Sequence, residues 1–190
     1  MYNKVFTYSD WGWSMKSFSI RDKDNKQDLL SLEVEISCRK EYKHISKHKR
    51  VLMPVINLDI SLYINGDKLD EDEVFVEDVF FKSLLSSGEY PMFTCTCGIF
   101  GCGGYYVDVV HDDETLIWTT QQSPFKDRTI KSTNRFIFSW INIIEFTEEL
   151  IQGLEKFENL MISNKLEFRS DLEKYKDILH EMKIKRKKGI

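Results

Sequence analysis

The sequence is poor in proline and cysteine and has no long apolar run. With three prolines in 190 residues, no internal repeat and no low-complexity stretch, it shows no obvious linker, and we expect one domain over residues 1–190. No window approaches roughly 18 uninterrupted apolar residues, and the N-terminus lacks the apolar core of a signal peptide. We therefore expect neither membrane spanning nor export. A domain of this length buries roughly 70% of its unfolded surface and needs no disulfide staple.

The chain also lacks an excess of basic residues. The chain carries 27 Lys and Arg against 31 Asp and Glu, which gives a formal net charge of −4 and a pI near 5.7. Nucleic acids and anionic membranes both require a basic surface, so the overall charge favours neither as a partner. The composition is typical of a globular cytoplasmic protein, in which cysteines are expected to be reduced thiols or metal ligands.

Strand patterns occupy most of residues 1–142. Apolar and polar residues alternate clearly over 30–37, and a longer strand is predicted over 51–64. Asn65-Gly66 follows it directly and predicts a hairpin into a short return strand. Further strands are expected at the cysteine-rich turn described below and over 105–110, 115–119 and 129–140, with Trp118 facing the core.

Helical patterns are fewer and later. A short helix is predicted over 77–86, and from 143 onward the apolar period changes to about 3.6 residues. Thr147 is the predicted cap of one C-terminal helix, and Ser170 with Glu173 forms a predicted capping box for the next. The sequence therefore predicts an α+β fold, a mostly antiparallel sheet with a short middle helix and two C-terminal helices. In this division 1–142 is mainly strands, 143–183 is helical and 184–190 is a basic tail.

Two short segments concentrate the basic residues. Residues 39–50 contain six Lys or Arg and one Glu, and His44 and His48 stand four apart, as on one face of a helix. A metal pair or a phosphate contact is one interpretation of this segment. A solvated connecting loop is the interpretation we favour, because aromatic interleaving is lacking. Residues 183–188 hold five basic residues and are expected to form a frayed terminus.

Three of the four cysteines lie between Phe93 and Val109, together with four of the nine glycines. Glycines permit positive φ and close backbone approach, so the three sulfurs can fold back near one another. Zinc is the candidate metal because thiolates are its preferred soft ligands, although Cys-x-Cys is tighter than the usual knuckle and Cys38, His44, His48 and His111 compete as fourth ligand. The alternative is that the cysteines pack as small apolar side chains. The candidate ligands are Cys95, Cys97, Cys102 and His111.

No catalytic residue is predicted. The sequence contains no nucleophile elbow, phosphate-binding loop or dinucleotide fingerprint, and no cofactor other than the candidate zinc is indicated. A zinc-dependent or thiol-dependent enzyme centred on the cysteine turn is the alternative function. The function we favour is a non-catalytic, partner-binding protein, for example of the immunity type, with another protein as the partner.

One resemblance supplements this interpretation. The run Cys95-Thr-Cys97-Gly98-Ile-Phe-Gly101-Cys102, followed by Ile117-Trp118, resembles a group of bacterial proteins that carry Cys-x-Cys-Gly-x-x-Gly-Cys and a downstream Trp. The match covers about 25 residues. The resemblance implies a bacterial cytoplasmic origin and a shared structural turn, and it transfers no catalytic residue, because that group has no established activity.

Overall fold

The computed structural model describes residues 5–9, 12–16, 27–69, 73–95, 104–121, 124–125 and 134–187. Within these ranges the chain forms ten strands and three helices, and two of the strands, Val5–Ser9 and Glu73–Phe75, were not predicted from the alternation. In chain order the elements are β1 Val5–Ser9, β2 Gly12–Lys16, β3 Leu30–Ser46, β4 Lys49–Ile64, β5 Asp67–Lys68, β6 Glu73–Phe75, α1 Glu77–Ser83, β7 Gly88–Cys95, β8 Gly104–His111, β9 Thr115–Thr120, β10 Arg135–Ser139, α2 Trp140–Ser163 and α3 Leu172–Lys187.

The strands form two antiparallel sheets of five, where the sequence indicated one. The first sheet has the order β1-β2-β3-β4-β5 and the second has the order β10-β9-β8-β7-β6. Sequence alternation fixes which face of a strand is apolar but does not fix its neighbours, so it cannot separate one sheet from two. The predicted α+β class, with a short middle helix and two C-terminal helices, is confirmed.

The first sheet is dominated by the pairing of β3 with β4. Leu30 lies opposite Ile64, and the register continues without a break as far as the pair His44 and Arg50. The apolar set Leu30, Leu32 and Val34 is buried, as the alternation predicted. At the end of β4, Asn65 and Gly66 take φ values of 57° and 87°, which confirms the predicted hairpin.

The second sheet is covered by helices and carries the largest aromatic cluster. Phe80 of α1 lies 6.3 Å from Trp118 of β9 and 5.2 Å from Phe146 of α2, measured between ring centroids. Trp118 is 1% exposed, so its predicted core position is confirmed. Phe81 stacks on Tyr175 of α3 at 3.9 Å. These contacts join α1, α2 and α3 into one hydrophobic cluster with residues of both sheets.

Helix α2 begins at Trp140, which corrects the predicted cap at Thr147. The N-cap is Ser139, whose hydroxyl accepts a hydrogen bond from the amide of Asn142 at 3.1 Å. Thr147 lies inside the helix, where its hydroxyl donates to the carbonyl of Ile143. The buried amide side chain of Asn142 bonds both the N–H and the C=O of Leu30, so the first turn of α2 is tied to the start of β3.

Helix α3 also differs at both ends from the predictions. The carboxylate of Asp171, not the hydroxyl of Ser170, accepts from the amide of Lys174, and Ser170 bonds Glu77 of α1 instead. The helix continues to Lys187, so most of the basic segment predicted to fray is helical. Ion pairs such as Lys183 with Glu148 hold this end against α2. No helix in the described ranges is both long and apolar enough to span a bilayer.

Candidate functional site: the basic ribbon

The cysteine turn is only partly within the described residues. Cys95 ends β7 and Gly104 begins β8, and the candidate ligands Cys97 and Cys102 lie between them, outside the described ranges. Cys95 is disulfide-bonded, whereas the sequence interpretation favoured a thiol or a metal ligand. Cys38 is a free, exposed thiol on β3. The zinc prediction for the cysteines stays a prediction.

His111, the predicted fourth ligand, lies far from Cys95 along the β7–β8 ladder, while the ligand set as a whole stays a prediction because Cys97 and Cys102 lie outside the described ranges. Thr94 pairs with Gly104 at one end of the β7–β8 ladder, and His111 lies seven residues further along β8. At about 3.4 Å per residue this places His111 more than 20 Å from the cysteine end of the ladder. In the described part of the chain no three His, Cys, Asp or Glu side chains are grouped as metal ligands.

His111 instead belongs to a packed joint beside the end of α3. Its Nε2 lies 2.8 Å from the carbonyl oxygen of Ser83, and its ring meets Trp140 edge-on at 5.1 Å. The guanidinium of Arg186 lies 3.7 Å above the Trp140 ring and donates to the carbonyl of Asp113 at 2.9 Å. Burial, with help from the nearby cations Arg186 and Lys185, lowers the pKa of His111. The joint is a structural contact.

The outer part of the β3–β4 hairpin is largely exposed along both strands. We call residues 39–54 the basic ribbon. Among the described strands, β2 accompanies β3 only as far as Ile36, and β5 reaches β4 only at Tyr63 and Ile64. Between these limits β3 and β4 have only each other as described neighbours. Residues 39–46 alone extend about 25 Å at the rise of an antiparallel strand.

This architecture corrects the predicted loop over residues 39–50. Residues 39–46 continue β3 and 49–54 belong to β4, so His44 and His48 do not share a helical face. The predicted solvation is correct, because both strands are largely exposed here. A signal for the extension was available in the sequence, since a strand over 51–64 needs an antiparallel partner of similar length.

The register gives the ribbon two chemically different faces. Residues directly opposite each other in an antiparallel pair project on the same side. One side carries the single ribbon carboxylate, Glu41, which is ion-paired with Arg39 at 2.7 Å. The other side, which we call the recognition face, contains no acidic residue. It consists of three cross-strand pairs, namely Lys40 with Pro54, Tyr42 with Leu52, and His44 with Arg50.

The recognition face has an apolar centre and a cationic border. Tyr42 is 68% exposed and Leu52 is 46% exposed, although they form a cross-strand pair of large apolar side chains. Lys40 and Arg50 are exposed on either side of this pair. The sequence interpretation missed this feature, because the pairing of Tyr42 with Leu52 comes from the register and not from neighbours along the chain.

The ribbon also makes the molecule strongly dipolar. It contains six Lys or Arg and one Glu, a formal charge of +5. Because the whole chain carries −4, the remaining residues carry −9, which is −4 minus +5. The overall acidity of the sequence therefore conceals a cationic arm attached to an anionic body.

The chain was compared with protein-family models, with curated proteins and with solved structures, and none of the three comparisons finds a match. The side chains described above are therefore the basis for any functional assignment.

Proposed function

We propose that this chain is a non-catalytic binding protein whose basic ribbon docks on an acidic surface of a protein partner. The exposed Tyr42–Leu52 pair at the centre of the recognition face carries the proposal. An aromatic and an aliphatic side chain surrounded by Lys40 and Arg50 match the anatomy of a binding hot spot, in which a cationic or polar border encloses an apolar centre. The immunity-type role and the bacterial cytoplasmic setting belong to the same proposal.

A protein partner is favoured over a nucleic acid for two reasons. The apolar centre of the face gives no advantage against a phosphate backbone, whereas it can desolvate against an apolar patch on a protein. The anionic body, with its formal charge of −9, repels any polyanion that extends beyond the ribbon. A compact acidic surface with an apolar centre fits both features.

The test uses a fluorescent seven-residue peptide of alternating glutamate and leucine as the probe of the ribbon, with a 20-base-pair DNA duplex as the competing class. We expect saturable peptide binding that weakens about tenfold or more in Tyr42→Ala and in Arg50→Glu, because each removes part of the hot spot. Tyr106→Ala and Lys174→Glu are the matched controls, since Tyr106 is 44% exposed on the second sheet and Lys174 is exposed on α3. Tighter binding of the duplex, at 150 mM salt, than of the peptide contradicts the proposal.

The alternative function, a zinc-dependent or thiol-dependent enzyme at the cysteine turn, has a separate test. We expect the natively purified protein to contain no stoichiometric zinc. We also expect it to react with at least two fewer thiol-reagent equivalents than the reduced protein, because Cys95 is disulfide-bonded. Cys38→Ser is the control, since it removes one free, exposed thiol.

One equivalent of zinc that is lost in Cys95→Ser but kept in Cys38→Ser supports the enzyme instead. The expected disulfide counts against the cytoplasmic part of the proposal, because disulfides rarely persist in that compartment, and a full count of free thiols in the natively purified protein would support it.

A further inference from the structure

A cleft of about 820 Å³ lies beside the inner part of β4, away from the recognition face. Its walls are residues 56–62 of β4 on one side and β6 with the start of α1 on the other, and Phe75, Phe93 and Phe157 contribute aromatic surface. This volume is within the range of about 300–1,000 Å³ that is typical of ligand-binding pockets. One wall of the cleft is polar, because N–H and C=O groups of the β4 backbone face it.

The free edge of β4 faces this cleft. The carbonyl of Leu62 accepts from the amide of Leu69, which places the backbone groups of Leu62 on the β5 side of the strand. Backbone groups alternate sides along a strand, so Ile56, Leu58 and Ile60 also direct their N–H and C=O groups away from β3. No described strand pairs with them. They offer six backbone groups to an added strand.

The edge is blocked at one end only. Pro54 has the same alternation as Ile56, so its missing N–H falls on the free edge, where it costs no bond to β3. Exposed edge strands usually carry such a block, or a charge, to prevent pairing with other chains. Ile56, Leu58 and Ile60 carry neither, and the one charge in this stretch, Asp59, is a carboxylate that disfavours acidic segments but not basic ones. Pairing is therefore possible along this stretch and stops at Pro54.

The two faces beside the edge select the side chains of an added strand. Phe157 of α2 lies on the core side of the sheet, where Gly153 of the same helix meets Val34 of β3. On the opposite side, Glu35 and Asp59 are directly opposed and both exposed. Two opposed carboxylates are unfavourable for the sheet alone and become favourable beside a cation. Alternate side chains of an added strand would thus meet aromatic rings and carboxylates in turn.

We propose that this cleft binds an extended peptide segment with alternating basic and apolar residues, which adds as a strand along Ile56–Ile60 of β4. The backbone hydrogen bonds supply the register, the apolar side chains meet the aromatic wall, and the basic side chains meet Glu35 and Asp59. The site is independent of the basic ribbon, because its charge preference is the opposite one.

The probe is an acetylated and amidated heptapeptide of alternating lysine and valine, and its binding is measured by isothermal titration calorimetry. We expect one bound peptide per chain. N-methylation of alternate residues along one edge of the peptide should weaken binding at least tenfold, because it removes the backbone donors. Asp59→Lys should weaken binding at least fivefold, and Glu89→Lys, an exposed carboxylate on β7, should leave it unchanged. Tyr42→Ala should also leave it unchanged, so failure of the ribbon and failure of the cleft are distinguishable.

Three outcomes would overturn the proposal. The first is equal binding of a peptide in which the four lysines precede the three valines, because alternation would then be irrelevant. The second is equal binding of the N-methylated peptide, because the β4 edge would then not be used. The third is a dimer of this chain that the heptapeptide dissociates, since that result assigns the cleft to a second copy.

Discussion

The helix-covered second sheet and the basic ribbon are built from equally regular strands, but they use their side chains in opposite ways. In the second sheet, the apolar residues of β8, β9 and β10 pack under α1 and α2, and side chains such as Trp118 and Phe138 are fully buried. In the ribbon, the strands continue with the same register while Tyr42 and Leu52 stay exposed. Regular pairing therefore does not distinguish stabilising surface from binding surface, whereas the packing against each face does.

The largest expected difference between buried and exposed positions is in the free energy of unfolding, and substitution of a core aromatic residue measures it. Phe80 is fully buried and contacts the rings of Phe75, Phe81, Trp118 and Phe146. Phe80→Ala should lower the free energy of unfolding by about 3–5 kcal/mol, because it removes transfer free energy and leaves a cavity. Urea denaturation followed by tryptophan fluorescence measures the change. Tyr106→Ala, on an exposed face, should change the same quantity by less than about 1 kcal/mol. Equal effects would contradict the contrast.

A second prediction tests how α2 is seated on the inner part of β3. A Cβ added at Gly153 lies 2.8 Å from Cγ2 of Val34. Valine has little rotamer freedom, so Gly153→Ala should cost about 1–2 kcal/mol despite the better helix propensity of alanine. In a Val34→Ala background the same substitution should be neutral or stabilising. A double-mutant cycle of urea-unfolding free energies measures the coupling, and equal effects of Gly153→Ala in both backgrounds would show that the two elements do not meet there.

A third, smaller effect is expected from pH at the joint between the second sheet and α3. Burial lowers the pKa of His111 in the folded state. An unfolded histidine titrates near pH ~6.5, so below that pH the unfolded chain binds a proton that the folded chain does not. The free energy of unfolding should therefore fall as the pH is lowered from about 6.5 toward the folded pKa.

Two variants show whether this pH dependence arises at the His111 joint. His111→Gln retains a donor for the carbonyl of Ser83 and should flatten the slope of the unfolding free energy against pH. Leu52→Ala, on the exposed ribbon, should leave the slope as it is in the wild type, because it removes no titratable group. Chemical denaturation at pH 7.0, 6.0 and 5.0 makes the comparison. A slope that is unchanged in His111→Gln assigns the pH dependence to other groups.

Much of this fold could be predicted from local pattern, and the exceptions have physical causes. The 51–64 strand, the Asn65-Gly66 hairpin and the buried Trp118 follow from alternation and turn chemistry, which are local properties. The N-cap of α2 was predicted eight residues too late, because the first turn is defined by Ser139 and by the contact of Asn142 with β3, which is distant in sequence. The pairing of Tyr42 with Leu52 is likewise a property of register.

The candidate metal site also depends on which residues meet in space, and local sequence pattern does not determine this. Proximity in sequence suggested His111 as a partner of Cys95, and the β7–β8 ladder places the two at opposite ends. A hairpin brings together residues at equal distances from its turn, so His111 meets the loop before β7, where its amide bonds the hydroxyl of Ser87. The zinc prediction for Cys95, Cys97 and Cys102 stays a prediction.

The most direct test of the central claim measures stability and binding in one variant of the ribbon. In Tyr42→Ala/Leu52→Ala we expect the free energy of unfolding to change by less than about 1 kcal/mol, because both side chains are exposed and their cross-strand contact is worth about that or less. The affinity for the glutamate–leucine peptide should fall at least tenfold in the same preparation. Unchanged affinity, or a loss of stability as large as that of Phe80→Ala, would contradict the account.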